Sequence, residues 1–153
     1  MEPLYYVPKE LEPGVLLDTY SNKFIIYGIS CPNEPFEFFI PIIHWFNNYM
    51  KRPLNTTVFE IYFDYFDTIT SKFLLKILYK LESIAEQGYD VKIQWFYREG
   101  DEDMYEEAEE FDYVIEPDFE IIPILNEKKE YLSNLFKIYP EICHKNINEE
   151  VLN

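Results

Sequence analysis

Glycine is scarce, at four positions in 153 residues. Phosphate-cradling loops need several glycines at fixed spacing, and none of these falls in that pattern. Gly28-Ile29-Ser30 is not the elbow that displays a catalytic serine, because the second glycine is missing. Histidine is scarcer still, with only His44 and His144. His44 lies in an aromatic segment of helical spacing and fits a core or helix-edge position, and His144 lies in the C-terminal tail. A Ser/His/Asp or Cys/His site is therefore not expected. The two cysteines, Cys31 and Cys143, make neither a disulfide framework nor a metal-ligand spacing. A reducing compartment fits them best. Positive charge is outnumbered, 13 Lys and Arg against 29 Asp and Glu, for a net charge of −16. Such a chain repels nucleic acid and anionic membrane surfaces. Long apolar runs are absent too. The most apolar stretch is broken by Glu37, Pro41 and His44, and Met1 to Gly14 holds no run that would serve as a signal peptide. A cytoplasmic location is the expectation.

What is present is a core. Hydrophobic residues make up 48% of the chain, too many for a disordered acidic tail. A chain of this length suits one domain that buries its core without metal or disulfide support. Aromatics reach 19%, which points to a bulky core and an aromatic contact face.

Periodicity gives the order of elements. Pro8, Pro13 and Gly14 mark a turn-rich lead-in. Val15–Asp18 and Phe24–Tyr27 flank Tyr20-Ser21-Asn22 as a hairpin. Phe38, Ile42, Trp45, Phe46 and Tyr49 repeat at helical spacing, with Pro41 either starting or kinking the helix. Thr57 to Phe66 alternates as a strand, and a helix from about Thr70 to Glu86 stops at Gly88. Val91, Ile93, Trp95 and Tyr97 alternate again, so residues 57 to 97 form a βαβ unit with parallel strands. Asp103 to Glu110 reads as helix. Phe119 to Leu125 reads as a last strand, placed at an edge by Pro123. Glu127 to Tyr139 reads as an amphipathic helix ended by Pro140, with a loose polar tail from Glu141 to Asn153.

The junction at residues 66 to 72 carries three hydroxyls, Thr68, Thr70 and Ser71. A new helix leaves its first N–H groups unpaired, and its dipole is positive there, so a phosphate is well placed. Capping by one of these hydroxyls explains the pattern as well, and on spacing alone is the commoner reason for it.

Between Glu99 and Glu120 there are twelve carboxylates and no Lys or Arg. A solvated acidic face accounts for them, and so does a docking surface for a basic partner. Counted as a calcium loop from Asp101, the sixth residue is Glu106 rather than glycine and the twelfth is Asp112 rather than glutamate. No metal and no cofactor is expected.

Four patches in order resemble a known family. Gly28-Ile29-Ser30-Cys31-Pro32-Asn33-Glu34 resembles its Gly-x-Ser-x-Pro-Glu-Asn loop. Phe38-Phe39-Ile40-Pro41 with Trp45 to Tyr49 resembles its first helix. Tyr65-Phe66-Asp67-Thr68-Ile69-Thr70-Ser71-Lys72 resembles its Tyr-Phe-Asn-Thr-x-Ser-Ser-Lys motif. Trp95-Phe96-Tyr97 with Asp101-Glu102-Asp103-Met104 resembles its Trp-x-Tyr…Asp-Glu-Asp-Met segment. The chain is thus similar to the SiaC family of bacterial regulatory phosphoproteins over roughly residues 10 to 125, with Asp67 standing where the family has Asn.

The resemblance implies a single α/β domain with a mixed sheet and helices largely on one side, similar to the STAS domains of anti-sigma-factor antagonists. Residues 1–125 would form that domain, and residues 126–153 a helix and tail packed on it or trailing it. It implies a non-enzymatic switch in cyclic-di-GMP signalling. A kinase adds a phosphate to Thr68, a PP2C-like phosphatase removes it, and the unphosphorylated form stimulates a diguanylate cyclase. Ser71 and Thr70 are the secondary acceptors. Asp67, Lys72, Asp101, Glu102 and Asp103 are the expected partner contacts. The competing expectations are a constitutive adaptor of the same fold and a metal-dependent enzyme built on the acidic segment.

Overall fold

In a computed structural model the backbone is described for residues 1–152 and side chains for residues 1–141. The strands are β1 (Leu4–Tyr6), β2 (Gly14–Asp18), β3 (Lys23–Ser30), β4 (Thr56–Phe66), β5 (Asp90–Arg98) and β6 (Asp118–Ile124). The helices are α1 (Pro35–Tyr49), α2 (Thr68–Glu86), α3 (Glu102–Val114) and α4 (Asn126–Leu152). The strands lie side by side in chain order, β1 to β6. β1, β2 and β3 pair antiparallel, and β3 through β6 pair parallel.

Each parallel step needs a crossover, and α1, α2 and α3 supply them. All three pack on one face of the sheet. There Phe39, Phe46, Leu74, Leu78 and Phe111 meet Phe24, Ile26, Phe59, Ile61, Ile93 and Trp95. The alternate residues Leu16, Ile25, Tyr27, Tyr62 and Phe96 point the other way, into a second core. Leu132, Leu135, Phe136 and Tyr139 of α4 close that core. Two buried faces explain why β2 is buried at every position and reads as continuous apolar sequence.

The hairpin turns as its sequence suggests. The Asp18 carboxylate accepts from the Tyr20 amide at 2.9 Å and the Ser21 hydroxyl at 2.6 Å, and Asn22 takes the positive φ of 54°. β6 is the edge strand that Pro123 calls for.

Several boundaries differ from expectation. β1 arises within the lead-in. α1 begins at Pro35, where a missing N–H costs nothing, and runs through Pro41. α4 continues through Pro140, because burial of Phe136 and Tyr139 holds the preceding turn. The side chains of Cys143 and His144, and Asn153 itself, fall outside the described residues, as does any side-chain account of the tail beyond Glu141.

Candidate functional site

The carboxyl ends of β3, β4 and β5 lead into the N-termini of α1, α2 and α3. Because these strands are parallel neighbours, the three helix heads stand in a row at one end of the sheet, α2 in the middle. The row carries Asn33 and Glu34, then Asp67 to Lys72, then Asp101 to Asp103. The structure therefore brings all the expected partner-contact residues to one end of the molecule.

At its centre the cap of α2 is Asp67, not a hydroxyl. Its carboxylate accepts from the Thr70 amide at 2.8 Å, and its carbonyl accepts from the Ser71 amide at 3.1 Å. Asp ranks with Asn and Ser as a capping residue, so a hydroxyl was not required. The helix begins two residues earlier than its apolar spacing implies, with Thr68 as its first residue. Thr68 is exposed. The amides of Thr68 and Ile69 precede the first intrahelical bond, so the helix offers them no acceptor.

Thr70 is fully buried, at 0% exposure, and so is Ser30 at the end of β3. Their hydroxyls lie 2.7 Å apart, and the Thr70 hydroxyl also donates to the Ser30 carbonyl at 3.2 Å. The Asp67 amide donates to that same carbonyl at 3.0 Å. This network ties the head of α2 to β3 and withdraws Thr70 from any enzyme acting at the surface. Ser71 is half-buried. Lys72 is exposed one turn beyond Thr68, on the same side of the helix.

The electrostatics around Thr68 are mixed. Asp64 is engaged elsewhere, accepting from the Tyr62 hydroxyl at 2.9 Å and pairing with Lys129 of α4 at 3.2 Å. Burial, and then the Asp64 carboxylate, hold the Tyr62 hydroxyl well above the ordinary tyrosine range. The Cys31 thiol is also pushed up, first by desolvation and then by its hydrogen bond to Asp67 and that group's charge. Cys31 is thus no activated nucleophile.

Among the acidic residues, Asp101 caps α3, accepting from the Met104 amide at 3.1 Å. Glu102 and Asp103 are exposed in its first turn. Among the described residues no group of three or more His, Cys, Asp or Glu converges as metal ligands, and no helix is long and apolar enough to cross a membrane. His44 is exposed on α1.

Sequence reasoning missed the apolar rim of this end. Tyr65 and Ile69 flank Thr68 and are exposed. Ile29 is the register partner of Tyr65 and is also exposed. Phe36, 66% exposed, stands edge-on to Phe73 in the second turn of α2. A strand pattern does not tell which apolar positions near its end run past the core. The only signal for Ser30 and Cys31 was the loop resemblance.

The geometry defines an α/β domain that presents a surface threonine at a strand-to-helix junction, at an end of the sheet that also exposes apolar side chains. Residues 7–124 match the model of the SiaC family regulatory phosphoproteins, and the chain belongs to that family. It is 27% identical over 114 residues to an uncharacterized protein of Pseudomonas aeruginosa (strain UCBPP-PA14), covering 72% of this chain and 88% of that one. The fold superposes on apo-SiaC from Pseudomonas aeruginosa with a TM-score of 0.74 and 24% identity, covering 80% of this chain and 99% of that one. It superposes equally, at 0.74 and 24%, on a chain from the crystal structure of diguanylate cyclase SiaD in complex with its activator SiaC from the same organism, covering 79% of this chain and 99% of that one. The family match ends before α4 begins.

Proposed function

We propose that this chain is a partner-switching phosphoprotein whose unphosphorylated form binds and stimulates a diguanylate cyclase. Thr68 is its phosphoacceptor, written by a dedicated kinase and erased by a PP2C-like phosphatase. The observation that carries this reading is the position of Thr68. It is the exposed threonine at the head of the central helix, at the same end of the sheet as the exposed Phe36, Tyr65 and Ile69. The family is one of regulatory phosphoproteins, and a solved relative is the activator of a diguanylate cyclase.

The mechanism follows from charge. A phosphate adds about −1.5 to −2 charges and three acceptor oxygens. At Thr68 it has local support from the free amides of Thr68 and Ile69, the helix dipole and Lys72. It meets opposition from Asp67. Between residues 53 and 97 there is no arginine, and Arg98, at the end of the neighbouring strand β5, is exposed. Thr68 is itself exposed, so the domain needs no refolding to accommodate the modification. The effect falls on the partner, whose apolar surface would have to desolvate a dianion. Leaving that charge unpaired costs several kcal/mol or more, enough to abolish a micromolar complex of about −8 kcal/mol.

The test is intact-protein mass after treatment with the cognate kinase, on the native chain and on Thr68→Ala. The reading expects one added phosphate on the native chain and none on the variant. Phosphate on Thr68→Ala at the native rate would place the acceptor elsewhere. One observation favours a second reading, a constitutive adaptor: the Asp67 carboxylate already puts a negative charge beside Thr68. A chain purified from its own cells without phosphate under every growth condition, yet bound to its partner, would favour that adaptor.

A further inference from the structure

An open cleft of about 800 Å³ lies between the N-terminal strand and the head of α1. One wall is Tyr5 and Tyr6 at the end of β1 with Val7 just beyond it, and the other is the first turn of α1 with Phe38. Among the described residues β1 pairs with β2 alone, so no strand covers its second edge. The apolar lining is real. Tyr6 and Phe38 have ring centroids 5.4 Å apart, and Val7 and Leu11 are exposed. Around it stand Glu10, Glu12, Glu34 and Glu37, against the one cation Lys9. Among the described residues none of the four glutamates is in a salt bridge. Burial and the nearby Glu12 together hold the Tyr6 hydroxyl above its ordinary pKa, which places a carboxylate field over an aromatic floor.

Two features decide what fits. An open strand edge beside a groove suits an extended peptide, whose backbone runs along the strand while alternate side chains enter the groove. Unpaired carboxylates over tyrosine and phenylalanine suit lysine or arginine, whose apolar stems pack on rings while their charged heads reach the acids. We propose that this cleft receives an extended basic segment of a partner protein, laid beside β1 with its cationic side chains on Glu12, Glu34 and Glu37.

The cleft adjoins the row of helix heads. The Cys31 amide donates to the Leu11 carbonyl at 2.8 Å, and one residue earlier the Ser30 carbonyl holds Asp67. A partner seated over Thr68 can thus be anchored a second time, through a tail in the cleft, and two linked contacts raise affinity beyond either alone. The cleft proposal does not rest on Thr68 being phosphorylated.

The probe is a short fluorescein-labelled peptide of alternating arginine and valine, with its glutamate–valine counterpart as control, titrated into the full chain. The basic peptide should bind and the acidic one should not. Affinity should fall about ten-fold or more in Glu12→Gln/Glu34→Gln/Glu37→Gln and stay within about two-fold in Glu86→Gln/Glu127→Gln/Glu130→Gln. Glu12 is half-buried and the other five positions are exposed, and a thermal melt checks that both variants fold. The largest amide shifts on binding should fall on Tyr5 to Val7 and on Glu34, Phe36 and Glu37. Thr68→Ala should bind the peptide as the native chain does, which separates this result from the fate of the phosphoacceptor reading. Equal losses in the two triple variants, shifts spread along α3, or no binding at all would overturn the proposal. The first two would mean a diffuse attraction to an acidic chain.

Discussion

The Asp67 carboxylate accepts from the Thr70 amide, so Asp67→Ala removes the cap of α2 and should cost about 1 kcal/mol, roughly 2–4 °C in Tm for a domain of this size. Asn caps as well as Asp, so Asp67→Asn should leave Tm nearly unchanged while removing the charge beside Thr68. If Thr68 is the acceptor, Asp67→Asn should be phosphorylated faster or hold the phosphate longer. Mass spectrometry over time, alongside thermal melts, reads both effects. Thr68→Ala should keep the fold, because Thr68 does not cap the helix. Thr70→Val should not be silent. It strands the buried Ser30 hydroxyl and should cost about 1–3 kcal/mol in urea unfolding. Equal, negligible costs for Thr68→Ala and Thr70→Val would mean that the buried hydroxyl pair contributes nothing.

At the scale of elements, α4 holds the second core. Phe136 is buried and stacks on Tyr27, their ring centroids 5.7 Å apart. Phe136→Ala should cost about 3–5 kcal/mol, read as a lower urea midpoint. Lys129→Ala should cost under about 1 kcal/mol, since its pair with Asp64 is solvent-exposed. A larger loss in Lys129→Ala than in Phe136→Ala would mean that charge rather than apolar packing seats the helix. The alternation of β3 to β5 and the helical spacing of α2 were legible in the sequence because each carries its own apolar period. β1 was not. A three-residue strand flanked by prolines has no period, and its strand state depends on distant partners, β2 and the Phe136 carbonyl that accepts from the Tyr5 hydroxyl. The start of α2 was misplaced for a related reason. Asp67 caps as well as any hydroxyl, and nothing local says which of four polar residues the backbone will use. Pro140 misled because a local breaking rule was outweighed by tertiary burial next to it. The row of helix heads followed from parallel pairing, whereas the apolar rim and the cleft became visible only when the strands were in register.

For the whole molecule the governing quantity is negative charge. The exposed face of α3 carries Glu102, Asp103, Glu106, Glu109, Glu110 and Asp112. Association with a basic partner should slow as salt rises, and neutralising Glu102, Asp103 and Glu106 together should lower the on-rate more than it raises the off-rate. Stopped-flow rates against ionic strength check this, and a salt-independent on-rate unchanged in the triple variant would remove the role. The crowding of like charge also has a pH signature. Burial first, and then Glu110 and Asp103, raise the Glu107 pKa above the ordinary carboxylate value. An acid raised in the folded state contributes stability below its unfolded pKa and loses it as pH rises through the folded one. Glu107→Gln should therefore raise Tm at neutral pH, and the gain should vanish below the ordinary carboxylate range. A gain that persists there would assign the effect to something other than charge.

The sheet is laid down in the order in which the chain is made, each strand beside the one before it. A nascent chain leaving the ribosome can thus close its hairpin, then add β4, β5 and β6 in turn without threading or waiting for a distant strand. The first core is complete once β6 has paired. The second is not, for its lid, α4, follows β6 in the chain. Between the emergence of β6 and the docking of α4, the growing protein shows water a face of Leu16, Ile25, Tyr27, Tyr62 and Phe96. Its greatest exposure to chaperones, and to wrong neighbours, falls in the interval between those two elements.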